Sequence, residues 1–126
     1  MLYLEDIKVG DRFISREYEM TLEEIKQFAH AYDPQVFHTD EDQAKKHPVF
    51  QGIAASGWHT SAVTMRLWTE CFPVAYGLIG SESSLRWPRP TRPGDHESPR
   101  VPVGPCGARR LPPAPPGQGD QCSCRR

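Results

Sequence analysis

Asp33-Pro34-Gln35-Val36-Phe37-His38, followed by Gly52-Ile53-Ala54-Ala55-Ser56-Gly57-Trp58-His59, is the part of the chain whose reading decides the fold. The first segment sets a carboxylate and an imidazole close together in sequence, two groups able to share one water molecule. The second opens a run to Cys71 made mostly of Ala, Ser, Trp, Val, Met and Leu. Read as one helix from Gly52 to Cys71, it begins on a glycine whose backbone N–H can face a developing negative charge. A helix so apolar, with Ile53, Trp58, Ala62, Met65 and Trp68 as buried candidates, is expected to be central and wrapped by other structure. Gly57 inside it costs about 1 kcal/mol against Ala, which predicts close packing by a ligand or a partner helix.

Working outward, Ile7-Lys8-Val9-Gly10-Asp11 reads as a turn, and Arg12 to Met20 offers Phe13, Ile14 and Tyr18 as a first strand. Thr21-x-x-Glu24 is a capping box, with Leu22, Ile25, Phe28, Ala29 and Tyr32 at helical spacing behind it, so a helix is expected over 22–32. Asp33-Pro34 stops that helix and puts His38 on the following loop. Asp40-Glu41-Asp42 then starts a short helical turn that carries Lys45 and Lys46 at its C-terminal end, as the helix dipole favours, and ends before Pro48. Downstream, Ser84-Leu85-Arg86-Trp87 alternates as a second strand and Arg92-Pro93-Gly94-Asp95 forms a turn. No third strand is legible after Asp95.

The 126 residues suffice for one domain with a core, yet 13 prolines and a mean hydropathy of −0.61 are unusual for a compact fold. The surplus has an address: ten of the prolines lie between Pro88 and Pro116, and from His96 onward only Val101, Val103 and Leu111 are large apolar residues. Charge divides there too, residues 1–95 holding 10 Lys/Arg against 14 Asp/Glu and 96–126 holding 5 against 2. The chain therefore divides into a body, 1–95, and a Pro/Gly/Arg-rich tail, 96–126, expected to be disordered or an aberrant, shifted-frame end. An acidic body without a basic stripe excludes nucleic acid as the expected partner.

Cys71 stands alone in the helical run, while Cys106, Cys122 and Cys124 fall in the tail, and one C-x-C is a weak zinc signal. His30, His47 and His59 match no two-histidine metal motif with His38 or Asp40, so no metal site is expected, and His59 reads as a hydrogen-bonded core histidine. Acidic residues follow the start directly and no apolar run reaches membrane-spanning length, so a cytoplasmic protein with reduced thiols, and no membrane contact, is expected.

At these residues the chain resembles the MaoC-like dehydratases, or R-specific enoyl-CoA hydratases, from about Tyr3 to Asp95. The order is strand, short helix, D-x4-H loop, apolar helix opened by glycine, and the turn Trp87-Pro88-Arg89-Pro90-x-Arg92-Pro93-Gly94-Asp95. The commoner family pattern is D-x-N-P-x-H; here Pro34 directly follows the aspartate and Gln35 stands in the place of the asparagine. The resemblance implies an α+β hot-dog fold, an antiparallel sheet wrapped on a long central helix, here truncated after the second strand. It also implies that Asp33 and His38 activate the water added to the β-carbon of a 2-enoyl thioester, giving an (R)-3-hydroxyacyl thioester. The Gly52 N–H would bind the thioester oxygen and Thr60 would support Asp33. An acyl-CoA or acyl-carrier ester is the implied substrate, no cofactor is implied, and a homodimer would complete the sheet. Two other readings keep the fold: a truncated, non-catalytic fragment that binds acyl-CoA or pairs with a partner, and an acyl-CoA thioesterase.

Overall fold

The computed structural model describes residues 1–103 except 78 and 80–82. A 3-10 turn at Leu4–Asp6 leads into β1 (Arg12–Ile14) and β2 (Tyr18–Glu19), then α1 (Leu22–Tyr32), α2 (Val36–Thr39), α3 (Glu41–Lys46) and α4 (Gly57–Cys71), followed by β3 (His96–Glu97) and β4 (Arg100–Pro102).

α1 starts where the capping box places it. Thr21 is extended, its hydroxyl accepts the Glu24 N–H at 3.3 Å and donates to the Glu24 carboxylate at 2.9 Å. It ends at Asp33, whose N–H still donates to the Ala29 carbonyl, because the proline that follows cannot supply the next helical N–H. α3 is capped by Asp40, which accepts from the N–H groups of Asp42 and Gln43, both at 2.9 Å. His38 lies on the single turn of α2 rather than on a loop. That turn forms because Pro34 ends α1, Gln35 is extended and the Val36 carbonyl then accepts the Asp40 N–H at 2.9 Å.

The expectation that no third strand follows Asp95 is corrected. β4 pairs antiparallel with β1, Phe13 opposite Val101, and β3 pairs with β2, Tyr18 opposite Glu97. Backbone bonds extend this ribbon at both ends, from Gly10 to Val103 and from Met20 to Gly94 and Asp95. Pro99 explains the break between its halves: its carbonyl accepts the Ser15 N–H at 3.2 Å, but it has no N–H to return. Strand pairing here draws on backbone groups and a few half-buried residues such as Val101 and Glu97, which a scan for apolar alternation does not detect. The strand expected at 84–87 does not form; this segment pairs with no strand among the described residues, and Leu85 and Trp87 are about half exposed. Residues 104–126, with Cys106, Cys122 and Cys124, lie outside the described residues.

The long helix begins at Gly57, not Gly52. Residues 52–56 stay out of the helix because other elements claim their backbone: Ala54 N–H donates to Phe37, Ala55 N–H donates to Thr91, and the carbonyls of Gly52 and Ile53 accept from Arg92. The buried stripe of α4 is His59, Val63 and Leu67, whereas Trp58 is 62% exposed and Met65 48%. The expected set was therefore out of phase, keeping only Ile53 as a buried member. Val63 and Leu67 join Met20, Ile25 and Ala55 in the core, with Tyr18 packed on its rim. At the far end of α4, Phe72 meets Phe13 edge-on, centroids 4.7 Å apart, tying the ribbon to the helix.

Candidate active site

Three chain segments converge where α1 ends, α2 lies and α4 begins. The break at Pro34 leaves Asp33 as the C-cap just past α1, and the turn of α2 brings His38 back beside it. His38 Nε2 lies 3.3 Å from Asp33 Oδ2, with the imidazole almost wholly buried and the carboxylate about one-fifth exposed. On its other edge, the His38 Nδ1 is 2.7 Å from the Ala54 carbonyl, which can only accept. Nδ1 therefore carries a proton, and Nε2 is the nitrogen turned to Asp33.

Two donors hold the carboxylate. The Ser56 hydroxyl donates to Asp33 Oδ2 at 2.7 Å and the Gln35 amide donates to Oδ1 at 2.8 Å. Partial burial works against the charged form, but these bonds and the attraction of His38 outweigh it and keep the Asp33 carboxyl below its ordinary value. Asp33 is thus held in its charged form, an acceptor able to orient a water.

Ser56 stands at the N-cap of α4, yet its side chain makes no capping bond. With that hydroxyl turned to Asp33, the first N–H groups of α4 keep no intrahelical acceptor, and the helix presents them with the positive end of its dipole. Gly57 is the first of these residues and lines the cavity that contains Asp33 and His38. This cavity of about 470 Å³ has Phe37, Val49, Phe50, Trp58 and Trp87 among its lining residues. The two tryptophans meet edge-on, centroids 5.6 Å apart. A Cβ on Gly57 would lie 2.8 Å from the Trp87 ring, so the close packing expected at this glycine comes from the chain's own indole.

The structure thus brings Asp33 and His38 together, leaves Gly52 outside their cavity and places Thr60 in its wall without a bond to Asp33. Gly52 does not line the cavity; its carbonyl accepts from Arg92 at 2.7 Å, and a Cβ there would sit 3.3 Å from the Arg92 Nη1. Thr60 lines the cavity, but its hydroxyl bonds to that of Thr91 at 3.3 Å, not to Asp33. Both displacements follow from the later start of α4, which moves the helix mouth to Gly57 and puts Ser56, rather than Thr60, within reach of the carboxylate. Ser56 was the available signal: serine is a favoured N-cap residue ahead of an apolar helical run.

The remaining histidines have local roles. His47 Nδ1 accepts the N–H groups of Val49 and Phe50. His59 stacks on Phe28, centroids 4.7 Å apart, and its buried Nδ1 has no partner among the described residues, unlike the hydrogen-bonded histidine expected there. No described helix is long and apolar enough to cross a membrane.

A family model described as "MaoC like domain" matches residues 8–104. The match thus runs past Asp95 through β3 and β4, beyond the end expected from sequence. The uncharacterized protein YdeM of Bacillus subtilis (strain 168) is 37% identical over 67 residues, 53% of this chain and 47% of that protein, so the chain spans about half the length of this relative. The crystal structure of a MaoC-like dehydratase from Rhodospirillum rubrum is 50% identical, with a TM-score of 0.78 over 82% of this chain and 71% of that one. An (R)-hydratase from A. caviae, described as involved in PHA biosynthesis, has a TM-score of 0.68 at 22% identity, covering 79% of this chain and 74% of its own, a likeness of fold alone. The architecture is that of these hot-dog proteins, mixed helix and antiparallel sheet, with few strands among the described residues.

Proposed function

Because the chain belongs to the MaoC-like domain family, we propose that it is a hydratase or dehydratase that interconverts a 2-enoyl thioester and an (R)-3-hydroxyacyl thioester. The observation that carries this reading is the 3.3 Å approach of His38 Nε2 to Asp33 Oδ2 in a cavity opening at the N-terminus of α4.

In the hydration direction, a water held between Asp33 and His38 loses a proton to this pair as its oxygen bonds to the β-carbon. The π electrons move toward the thioester carbonyl, whose oxygen gains negative charge. The Gly57 N–H and the helix dipole behind it stabilise that charge, the role sequence reasoning gave to Gly52. Return of a proton from the pair to the α-carbon completes the addition, so that water is consumed and the pair ends as it began. The apolar walls of Phe37, Val49 and Phe50 suit the acyl chain. The thioester of CoA or of an acyl carrier serves as the substrate's handle, and nothing in these steps calls for a metal or redox group. A homodimer of a protein inside the cytoplasm remains part of the proposal.

Loss of enoyl absorbance from crotonyl-CoA tests it. Hydration without thiol release supports the proposal, and free thiol points to a thioesterase instead. Asp33→Asn and His38→Ala should each lower turnover by about 10²–10⁴-fold; full turnover in both removes the pair from the mechanism.

One observation favours a second reading, a non-catalytic piece that pairs with a fuller partner. Trp58, Ala62 and Met65 form an exposed apolar stripe along α4, and the ribbon is only two strands wide among the described residues. Absence of both hydration and thiol release would support it.

A further inference from the structure

We propose that Arg92 is a positioning residue of this site, holding residues 50–53 so that the next carbonyl, that of Ala54, fixes the proton on His38. The inference rests on the hydratase reading for its kinetic consequence, but its structural part stands alone.

The segment between α3 and α4 has no helix or strand of its own at 51–56, so its backbone groups need partners from elsewhere. One guanidinium supplies three. Arg92 Nη1 donates to Gly52 O at 2.7 Å and to Ile53 O at 2.9 Å, while Nη2 donates to Phe50 O. Arg92 is itself held at its backbone, where its N–H donates to Asp95 Oδ2 at 2.8 Å. Among the described residues its side chain makes no ion pair. Its charge is directed at carbonyl oxygens, for which a rigid planar fork with several donors is better suited than a single ammonium.

The next residue carries the consequence. Ala54 N–H is bound by Phe37 O at 3.1 Å, and Ala54 O faces His38 Nδ1 at 2.7 Å. That one acceptor decides which ring nitrogen holds the proton and therefore which is turned to Asp33. Without the Arg92 fork, Ile53 and Gly52 lose their restraint one bond from the Ala54 peptide, and the acceptor can drift from the ring. Gly52 fits this role: its missing side chain leaves room for Nη1.

The test combines nitrogen NMR of His38 with crotonyl-CoA kinetics on Arg92→Met and Arg92→Lys, each checked for fold by near-UV circular dichroism. In the unaltered protein, His38 should give one Nδ1-protonated tautomer. In Arg92→Met that signal should become a mixture of tautomers, with kcat down about 10–100-fold and KM within about twofold, as expected for a small misplacement of a reacting group. Arg92→Lys should recover part of both. Should Arg92→Met fail to fold, the Lys variant decides: a mixed tautomer supports the proposal, and a single Nδ1 tautomer with unaltered kcat overturns it. A folded Met variant that keeps the single tautomer and kcat within twofold also overturns it. If the unaltered protein shows no hydration while the tautomer responds to substitution, the hydratase reading fails and the positioning role of Arg92 stands.

Discussion

Ser56 Oγ and Asp33 Oδ2 stand 2.7 Å apart, so the hydroxyl in line to cap α4 is bonded to the carboxylate at the end of α1. Ser56→Ala removes the donor that most favours the charged carboxylate and leaves Gln35 as the other. The Asp33 carboxyl should then rise toward its ordinary value, moving the acidic limb of the kcat/KM profile to higher pH. A hydrogen bond to a charged group is worth about 1.5–3 kcal/mol, so turnover should fall by roughly 10–100-fold. An acidic limb that stays in place would separate Ser56 from the titration of Asp33.

Gly57→Ala tests the packing at the mouth of α4. The added methyl would meet the Trp87 ring at 2.8 Å, so the indole must move or the helix start must shift, at a cost of about 1–3 kcal/mol. Trp87→Ala in the same chain should relieve most of this, giving a double variant more stable than the sum of the single effects. Urea denaturation of the four proteins measures the coupling.

Leu67→Ala against Met65→Ala distinguishes the observed face of α4 from the one read in the sequence. Leu67 is fully buried, and its truncation should cost about 2–5 kcal/mol. Met65 is half exposed, so its truncation should stay within about 0.5 kcal/mol. Equal losses in thermal unfolding would mean that α4 is covered on both faces in solution.

Acidification should weaken the fold first through His59. Burial lowers the pKa of its imidazole from the ordinary 6.5, with Glu24 acting in the opposite sense. The unfolded chain therefore takes up a proton that the folded one resists, so stability is full above 6.5 and falls as pH drops below it toward the depressed folded value. Glu24, held down chiefly by the Tyr18 hydroxyl, and Asp33 add a second loss at lower pH, beneath their ordinary 4.5 and 3.8. Glu97, raised by burial, takes up its proton in the folded state before the unfolded chain does, so it partly offsets the His59 loss above its ordinary 4.5 and does not touch the later one. His59→Phe keeps an aromatic ring against Phe28 and should flatten the urea midpoint between pH 5 and 6.5; an unchanged slope would assign the acid sensitivity elsewhere.

Much of the site was legible because it depends on local rules. The Thr21–Glu24 box and Asp33-Pro34 set both ends of α1, and they place Asp33 beside the turn that carries His38. The start of α4 was not legible, since Ile53, Ala54 and Ala55 have ordinary apolar side chains and only the distant Phe37, Thr91 and Arg92 draw their backbone out of a helix. The later start puts Gly57, rather than Gly52, at the helix mouth, and Ser56, rather than Thr60, on the Asp33 carboxylate. The helix phase failed for a related reason: a segment apolar on most sides does not reveal which side faces the core. β3 and β4 escaped notice because they pair through the backbone, with Pro99 and Pro102 among residues that read as punctuation.

Those two prolines do not face the same way. Val103 returns its N–H to Asp11, so by the two-residue alternation of an antiparallel ladder Pro99 points into the ribbon while Pro102 points away from it. The outward flank of β4 is thereby missing an amide proton where a zippering neighbour would need one. Of the two flanks of this β1–β4 pair, the one along β1 has no proline, so among the described residues it is the better template for a further strand.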